Sequence, residues 1–262
     1  MAELMNGKRG LVMGVANDHS IAWGIAQALR AEGAEIALSY QGDAFRKRVE
    51  PLAERLGSTL LVDVDVQDDG QLDAAFDRIG SEWGRLDFLI HAIAFSDKNE
   101  LAGRFIETSR ENFKKSLTIS CYSLIDVSRR AYPLMTEGGS IVTLTYLGSN
   151  RVTPFYNVMG VAKAALESSV RYLANDLGRD GIRVNAISAG PMKTLAGAAI
   201  SGARKTFKTA ELNAPLGHNA TLEAIGGTAA YLCSDLGACT TGEIITVDAG
   251  YHVLGMARAE NL

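Results

Sequence analysis

Two phenols and an amine, Tyr146, Tyr156 and Lys163, stand at a spacing that suits nicotinamide redox chemistry. The apolar run Ser140 to Tyr146 reads as a strand, and Thr153-Pro154 reads as a helix start, with Thr as N-cap and Pro in the first turn. Tyr156 then falls in that first turn. Lys163 follows seven residues later, two turns on along nearly the same helix face and ~10 Å further up the axis. One face would carry a phenol that polarises a carbonyl and an ammonium that holds a sugar hydroxyl and keeps the phenol acidic. Tyr146 would wait at the adjacent strand end. Tyr and Lys are common on half-exposed helix faces, so the pair draws its weight from the rest of the chain.

The elements that must position these residues follow from hydrophobic patterning. Apolar, β-branched runs at Gly10–Gly14, Glu35–Tyr40, Thr59–Val66, Asp87–Phe95, Ser140–Tyr146, Arg183–Ser188 and Glu243–Val247 read as seven strands. Helical patterns lie between them at about Ile21–Glu32, Ala44–Leu56, Gln71–Trp83, Arg110–Leu134, Pro154–Leu177 and Leu222–Ser234. Strict alternation favours a parallel sheet, and near-continuous apolar strands such as Phe88 to Ala94 are expected when helices cover both faces. The expected fold is α/β: one domain over 1–262 with a doubly wound, Rossmann-type, seven-stranded parallel sheet and helices on both faces. The stretch Thr194–Asn213 is Gly- and Ala-rich, then basic, with weak periodicity, and reads as a mobile substrate-binding lid.

Composition bounds the class. At 262 residues the chain suits a single domain burying roughly three quarters of its unfolded surface. Its 47% hydrophobic and 21% charged residues are ordinary for a soluble globular protein. The N-terminus lacks a signal-peptide layout, and no uncharged apolar stretch approaches the ~20 residues a bilayer span needs. A cytoplasmic protein without membrane attachment is therefore expected. A formal charge of -4 argues against a nucleic-acid binder. Cys121, Cys233 and Cys239 show no CxxC pairing and read as reduced and structural, while His19, His91, His218 and His252 lack metal-ligand spacing, so no metal site is assigned.

The first turn reads as a phosphate cradle. Gly14, five residues, Ser20, then Gly24 at the start of a helix ended by Gly33 departs from GxGxxG but still aims backbone N–H groups and a helix dipole at an anion. Such a match is weak alone; its place after the first strand is where this fold holds a cofactor pyrophosphate. At the end of the second strand Gln41 offers hydrogen bonds to ribose but no charge to a 2′-phosphate, while Arg46, Lys47 and Arg48 downstream read as a solvated helix face. Asp65 ends the third strand, where a carboxylate or nearby backbone can meet an adenine amino group or simply form a turn.

Taken together, Gly14-x5-Ser20-Ile-Ala-x-Gly24, Asp65-Val66, His91-Ala-Ile-Ala94, Tyr146-x9-Tyr156-x6-Lys163 and Asn185-Ala-Ile-Ser-Ala-Gly-Pro191 resemble the bacterial NADH-dependent enoyl-acyl-carrier-protein reductases, across essentially the whole chain. These are a divergent branch of the short-chain dehydrogenase/reductases, most of which space the catalytic Tyr and Lys four apart; here position 160 is Gly, so the shorter motif fails. The resemblance implies hydride transfer from NADH to the β-carbon of a trans-2-enoyl thioester in fatty acid biosynthesis. Tyr156 would stabilise the enolate oxygen and Lys163 would grip the nicotinamide ribose, with Tyr146 contacting substrate or shaping the pocket. It also implies cofactor contacts from Gly14, Ser20, Ile21, Gln41, Asp65, Val66, Ile93, Met192, Lys193, Thr194, Leu195 and Ala196, and a substrate contact from Ser96. Ala92 and Ala94 stand where relatives often carry Ser and Gly. The expected partners are an acyl carrier protein bearing an enoyl thioester and further copies of the chain in a homotetramer, through the apolar stretch Ile244 to Met256. Two rivals are a ketone or alcohol reductase of the wider family, which would show Tyr-x3-Lys, and a non-catalytic NAD(H) sensor, which could dispense with Tyr156.

Overall fold

In the computed structural model, which describes residues 3–198 and 202–261, seven parallel strands form one sheet in the order β3-β2-β1-β4-β5-β6-β7. They are β1 Arg9–Met13, β2 Glu35–Tyr40, β3 Leu60–Asp63, β4 Phe88–His91, β5 Gly139–Thr145, β6 Ile182–Ala189 and β7 Ile244–Val247. Helices α1 Ile21–Ala31, α2 Gly42–Leu56, α3 Asp69–Trp83, α4 Lys98–Leu101, α5 Arg110–Leu117, α6 Ser123–Ala131, α7 Val158–Leu177, α8 Leu195–Ala198, α9 Ala203–Asn213 and α10 Leu222–Cys233 follow in chain order.

Successive strand residues face opposite layers. Val12, Leu38, Ile90, Val142 and Ile187 pack with Ile25, Leu29, Val49, Ile225 and Leu232 of α1, α2 and α10. On the other face Leu11, Leu89, Ile141 and Val184 pack with Leu72, Ile79, Val127, Leu166 and Val170 of α3, α6 and α7. Neither face meets water, which explains the unbroken apolar strands. Helix α1 lies close on α10, since a Cβ on Gly24 would come within 2.7 Å of the Leu222 Cβ, and one on Gly226 within 2.6 Å of the Ala28 Cβ.

Four local readings are corrected. The third strand ends at Asp63, because the Asp65 amide donates to Gln71 Oε1 at 2.9 Å and Asp65 Oδ1 accepts from the Gln67 amide, turning the chain into α3. The fourth ends at His91, and beyond it the Phe95 amide donates to Ser120 Oγ instead of to a strand. The long helix expected over Arg110–Leu134 is broken by a π segment, Thr118–Tyr122, between α5 and α6. Helix α7 begins at Val158, not at Pro154, because Phe155 and Asn157 take left-handed φ of 62° and 37°. The stretch Thr194–Asn213, read as a lid, carries α8 and α9 among its described residues.

Candidate active site

The strand order reverses direction of growth between β1 and β4, and there the carboxyl ends of neighbouring strands part to leave a crevice. Gly14 closes β1 at φ 97°, and a Cβ there would stand 2.2 Å from the Ala92 carbonyl oxygen, so no other residue fits. The Ser20 hydroxyl accepts from the Ala16 and Asn17 amides at 3.0 and 3.1 Å. It makes no cap bond to α1; its task is to fold the loop, which leaves the first-turn amides of α1 at the cavity wall. Gly14, Ser20, Ile21 and Ala22 line one end of a cavity of about 390 Å³. Ala92, Ile93 and Ala94 form its floor, and Tyr146, Tyr156, Met159 and Lys163 line the other part.

Lys163 is buried in α7, and its ammonium donates to the Leu144 carbonyl at the end of β5 at 2.8 Å. Burial pushes its pKa down to about 8, against smaller opposing effects of Cys121 and Glu167. The two tyrosine rings meet edge to face, centroids 5.0 Å apart at 65°. Burial also pushes the Tyr146 phenol up to about 12, with Tyr251 and Asp248 adding to it. Tyr156 is raised further, first by burial, then by Tyr146 and Glu167. The expectation that Lys163 keeps the phenol acidic is therefore reversed: burial wins, and Tyr156 is a neutral O–H donor at physiological pH.

Glycines make room for this phenol. A Cβ on Gly148 would lie 2.3 Å from the Tyr156 ring, and one on Gly160 would lie 2.7 Å from the Gly148 carbonyl oxygen. The residue that breaks the four-residue spacing thus lets α7 approach the 147–149 turn. At the strand beneath, His91 is buried between Thr143 Oγ1 and Ser123 Oγ at 2.9 and 2.8 Å, and burial holds its pKa down to about 3. A neutral imidazole in that position braces β4 against β5 and α6.

The structure gathers Gly14, Ser20, Ile21, Ile93, Ser96, Tyr146, Tyr156, Lys163, Met192, Thr194 and Leu195 around the cavity. Lys193 is not among them, since its ammonium sits over the Phe207 ring at 4.5 Å. Gln41, Asp65 and Val66 stand beyond the cavity, along the same carboxyl edge past β2 and β3. The Ala196 side chain lies outside the described residues. Sequence reasoning missed Phe95, Leu101, Thr145, Met159, Ala203 and Thr206, which also line the cavity. The signal available in the sequence was an apolar Phe95 directly before Ser96; its partial exposure is seen only in the fold. Among the described residues, no group of His, Cys, Asp and Glu is placed to hold a metal ion, and no helix is long and apolar enough to cross a membrane.

Comparison with known proteins identifies the family. The family model described as Enoyl-(Acyl carrier protein) reductase matches residues 14–252. The Enoyl-[acyl-carrier-protein] reductase [NADH] 2 of Rhizobium meliloti is 58% identical over 262 residues, covering 100% of this chain and 98% of the relative. A crystal structure of the enoyl-(acyl-carrier-protein) reductase from Anaplasma phagocytophilum in complex with NAD is 55% identical. It superposes with a TM-score of 0.94 and covers 98% of this chain and 96% of that one. The Bacillus cereus reductase with NADP+ and indole naphthyridinone is 49% identical, with a TM-score of 0.95 over 97% of this chain and 99% of that one. With that family model matching residues 14–252 and relatives more than half identical over nearly their whole length, this chain belongs to the enoyl-acyl-carrier-protein reductases of the short-chain dehydrogenase/reductase family.

Proposed function

We propose that the chain reduces the trans-2 double bond of an enoyl-acyl-carrier-protein with NADH, as a step of fatty acid biosynthesis. The observation that carries this reading is one cavity joining a Cβ-excluding glycine turn at the β1–β4 switch point to the Tyr156 phenol and the Lys163 ammonium. A dinucleotide fits these residues: Gly14 admits close backbone approach, α1 presents its amino end for the pyrophosphate, and Lys163 is a buried cation within reach of a ribose. When bound, NADH supplies the hydride that goes to the substrate β-carbon.

The chain's own residues do the rest. Tyr156 points a protonated donor at the thioester oxygen, where negative charge grows as the double bond is reduced. Lys163 orients the ribose. Tyr146 packs on the Tyr156 ring and fixes its plane. Gln41, Asp65 and Val66 are assigned to the adenosine half, and Met192, Thr194, Leu195 and Ala196 to the nicotinamide half; Lys193 backs that segment through Phe207. Ser96 is assigned to the substrate side. Its hydroxyl accepts from Ser116 Oγ at 2.8 Å, which holds it at the cavity wall.

The test is loss of NADH absorbance with a trans-2-enoyl thioester. NADH is expected to be preferred over NADPH by at least about tenfold in kcat/KM, because Gln41 offers no charge to a 2′-phosphate and Arg46 is paired with Glu50 at 2.9 Å. No turnover with any enoyl thioester overturns the reaction; equal constants for the two cofactors overturn the preference and implicate Lys47 and Arg48.

Delivery by an acidic carrier protein is supported by Arg204 and Lys205, exposed on α9 between Ala203 and Thr206, which line the cavity mouth. Lys208 is already tied to Glu211 at 3.1 Å. Reversing Arg204 and Lys205 to Glu is expected to raise KM for carrier-linked substrate several-fold and to spare a short thioester mimic. The effect shrinks with salt, whose screening length is ~8 Å at physiological strength. Equal loss on both substrates assigns the residues to the lid, and no loss on either places the docking patch elsewhere. Cytoplasmic location and a homotetramer complete the proposal. Edge strand β7 is only half-buried, and Val253 and Met256 are 66% and 72% exposed, which suits a subunit contact that sedimentation reads directly.

A further inference from the structure

Tyr156 sits between two residues whose backbones are both left-handed, Phe155 at φ 62° and Asn157 at φ 37°. Asn157 has ψ of -121°, a conformation that glycine takes easily and a side chain resists. The neighbours are not idle. The Asn157 amide nitrogen donates to the carbonyls of Glu100, Leu101 and Gly103 at 3.2, 3.1 and 2.8 Å. These carbonyls belong to the end of α4 and the turn after it, where a helix leaves its last acceptors unpaired. Leu101 from that turn lines the cavity and packs in one small cluster with Tyr156, Val158 and Met159. On the opposite side, the Phe155 ring lies 3.0 Å from the place a Cβ on Gly202 would take, at the start of α9.

We infer that Asn157 is a positioning residue that ties the Glu100–Gly103 wall of the cavity to the turn presenting Tyr156, so that seating the acyl chain against Leu101 and aiming the phenol are one event. The inference rests on the reductase reading above. Its physical content is specific. Two N–H groups are shared among three carbonyls reached across more than fifty residues of sequence, so the strained turn and the wall hold one another in place. Neither half keeps this geometry by local propensity: α4 is only four residues long, and the Thr153-Pro154 signal alone would start a helix earlier.

Two substitutions separate the amide from the backbone. Asn157→Asp keeps size and tolerance of positive φ but turns a carboxylate oxygen toward three carbonyls. Asn157→Gly keeps the backbone conformation and removes the donor without repulsion. Both are measured with a long-chain and a four-carbon enoyl thioester, with NADH affinity read by titration. The expected result is an increase of about tenfold in KM for the long-chain substrate in Asn157→Asp, smaller in Asn157→Gly. The short substrate should change little and NADH affinity not at all.

Unchanged KM for the long chain in both variants overturns the inference. So does a loss spread equally over both substrates and NADH, which marks general loosening of the fold. Hydrogen exchange of the amides from Lys98 to Glu107 provides a second arm that needs no turnover: it is expected to quicken in Asn157→Asp, and exchange equal to the parent overturns the tie. A parent chain that reduces no enoyl thioester defeats the functional reading, while this exchange measurement still decides the tie.

Discussion

Lys163→Ala is expected to weaken NADH binding roughly 10- to 100-fold and to lower turnover with it, because one charge-assisted hydrogen bond to a ribose is worth about 1.5–3 kcal/mol. Deleting a buried side chain also opens a void, so Lys163→Met, which keeps the volume and loses the charge, is the sharper comparison. Unchanged affinity and rate in both variants would remove Lys163 from the site. The same residue sets a pH dependence of opposite sign for activity and stability. With its pKa pushed down to about 8 by burial, the cation is lost as pH rises through that value, and cofactor binding weakens. Stability moves the other way. The folded pKa lies below the unfolded value of 10.5, so between about pH 8 and 10.5 the unfolded chain binds more protons and this group adds stability as pH rises. Denaturant unfolding of the cofactor-free chain at pH 7.5 and 10, beside NADH titrations at both, reads the two trends; in Lys163→Met both should flatten. A parent chain that binds NADH equally at both pH values would show that the ammonium is not needed.

How far residues alone disclose this molecule depends on how local their causes are. All seven strands were legible because a sheet covered on both faces needs long apolar, β-branched runs, and helices between them need a different period. Gly14 and Ser20 were legible because a turn after β1 has few ways to present amides to an anion. The start of α7 was not. Thr153-Pro154 is a strong local signal, and it loses to an Asn157 amide held by carbonyls of a distant turn. The seat of the Lys193 ammonium over the Phe207 ring was not legible either, because that ring comes from α9, fourteen residues further along the chain. The acidity of Tyr156 was misjudged for a similar reason: charge proximity can be guessed from spacing, but desolvation depends on everything that packs around the ring, including the bare face of Gly148.

Tyr156→Phe is expected to lower kcat/KM roughly 100-fold while leaving NADH affinity within error, since it deletes only a donor aimed at a developing oxyanion. The phenyl ring keeps the contact with Gly148 and the edge-to-face packing on Tyr146, so loss of rate is not loss of fold. Tyr146→Phe should cost much less, because that phenol stands at the side of the ring stack and serves to hold the Tyr156 plane. A Tyr156→Phe rate equal to the parent would shift the oxyanion contact to Tyr146 or to water. The pH profile distinguishes these further. Burial raises both phenols well above physiological pH, Tyr146 to about 12 and Tyr156 beyond it, so neither ionises where Lys163 does. The fall in NADH binding near pH 8 must therefore persist unchanged in Tyr156→Phe. If it vanished, the group titrating there would be the phenol, and the donor assigned to Tyr156 would instead be a base.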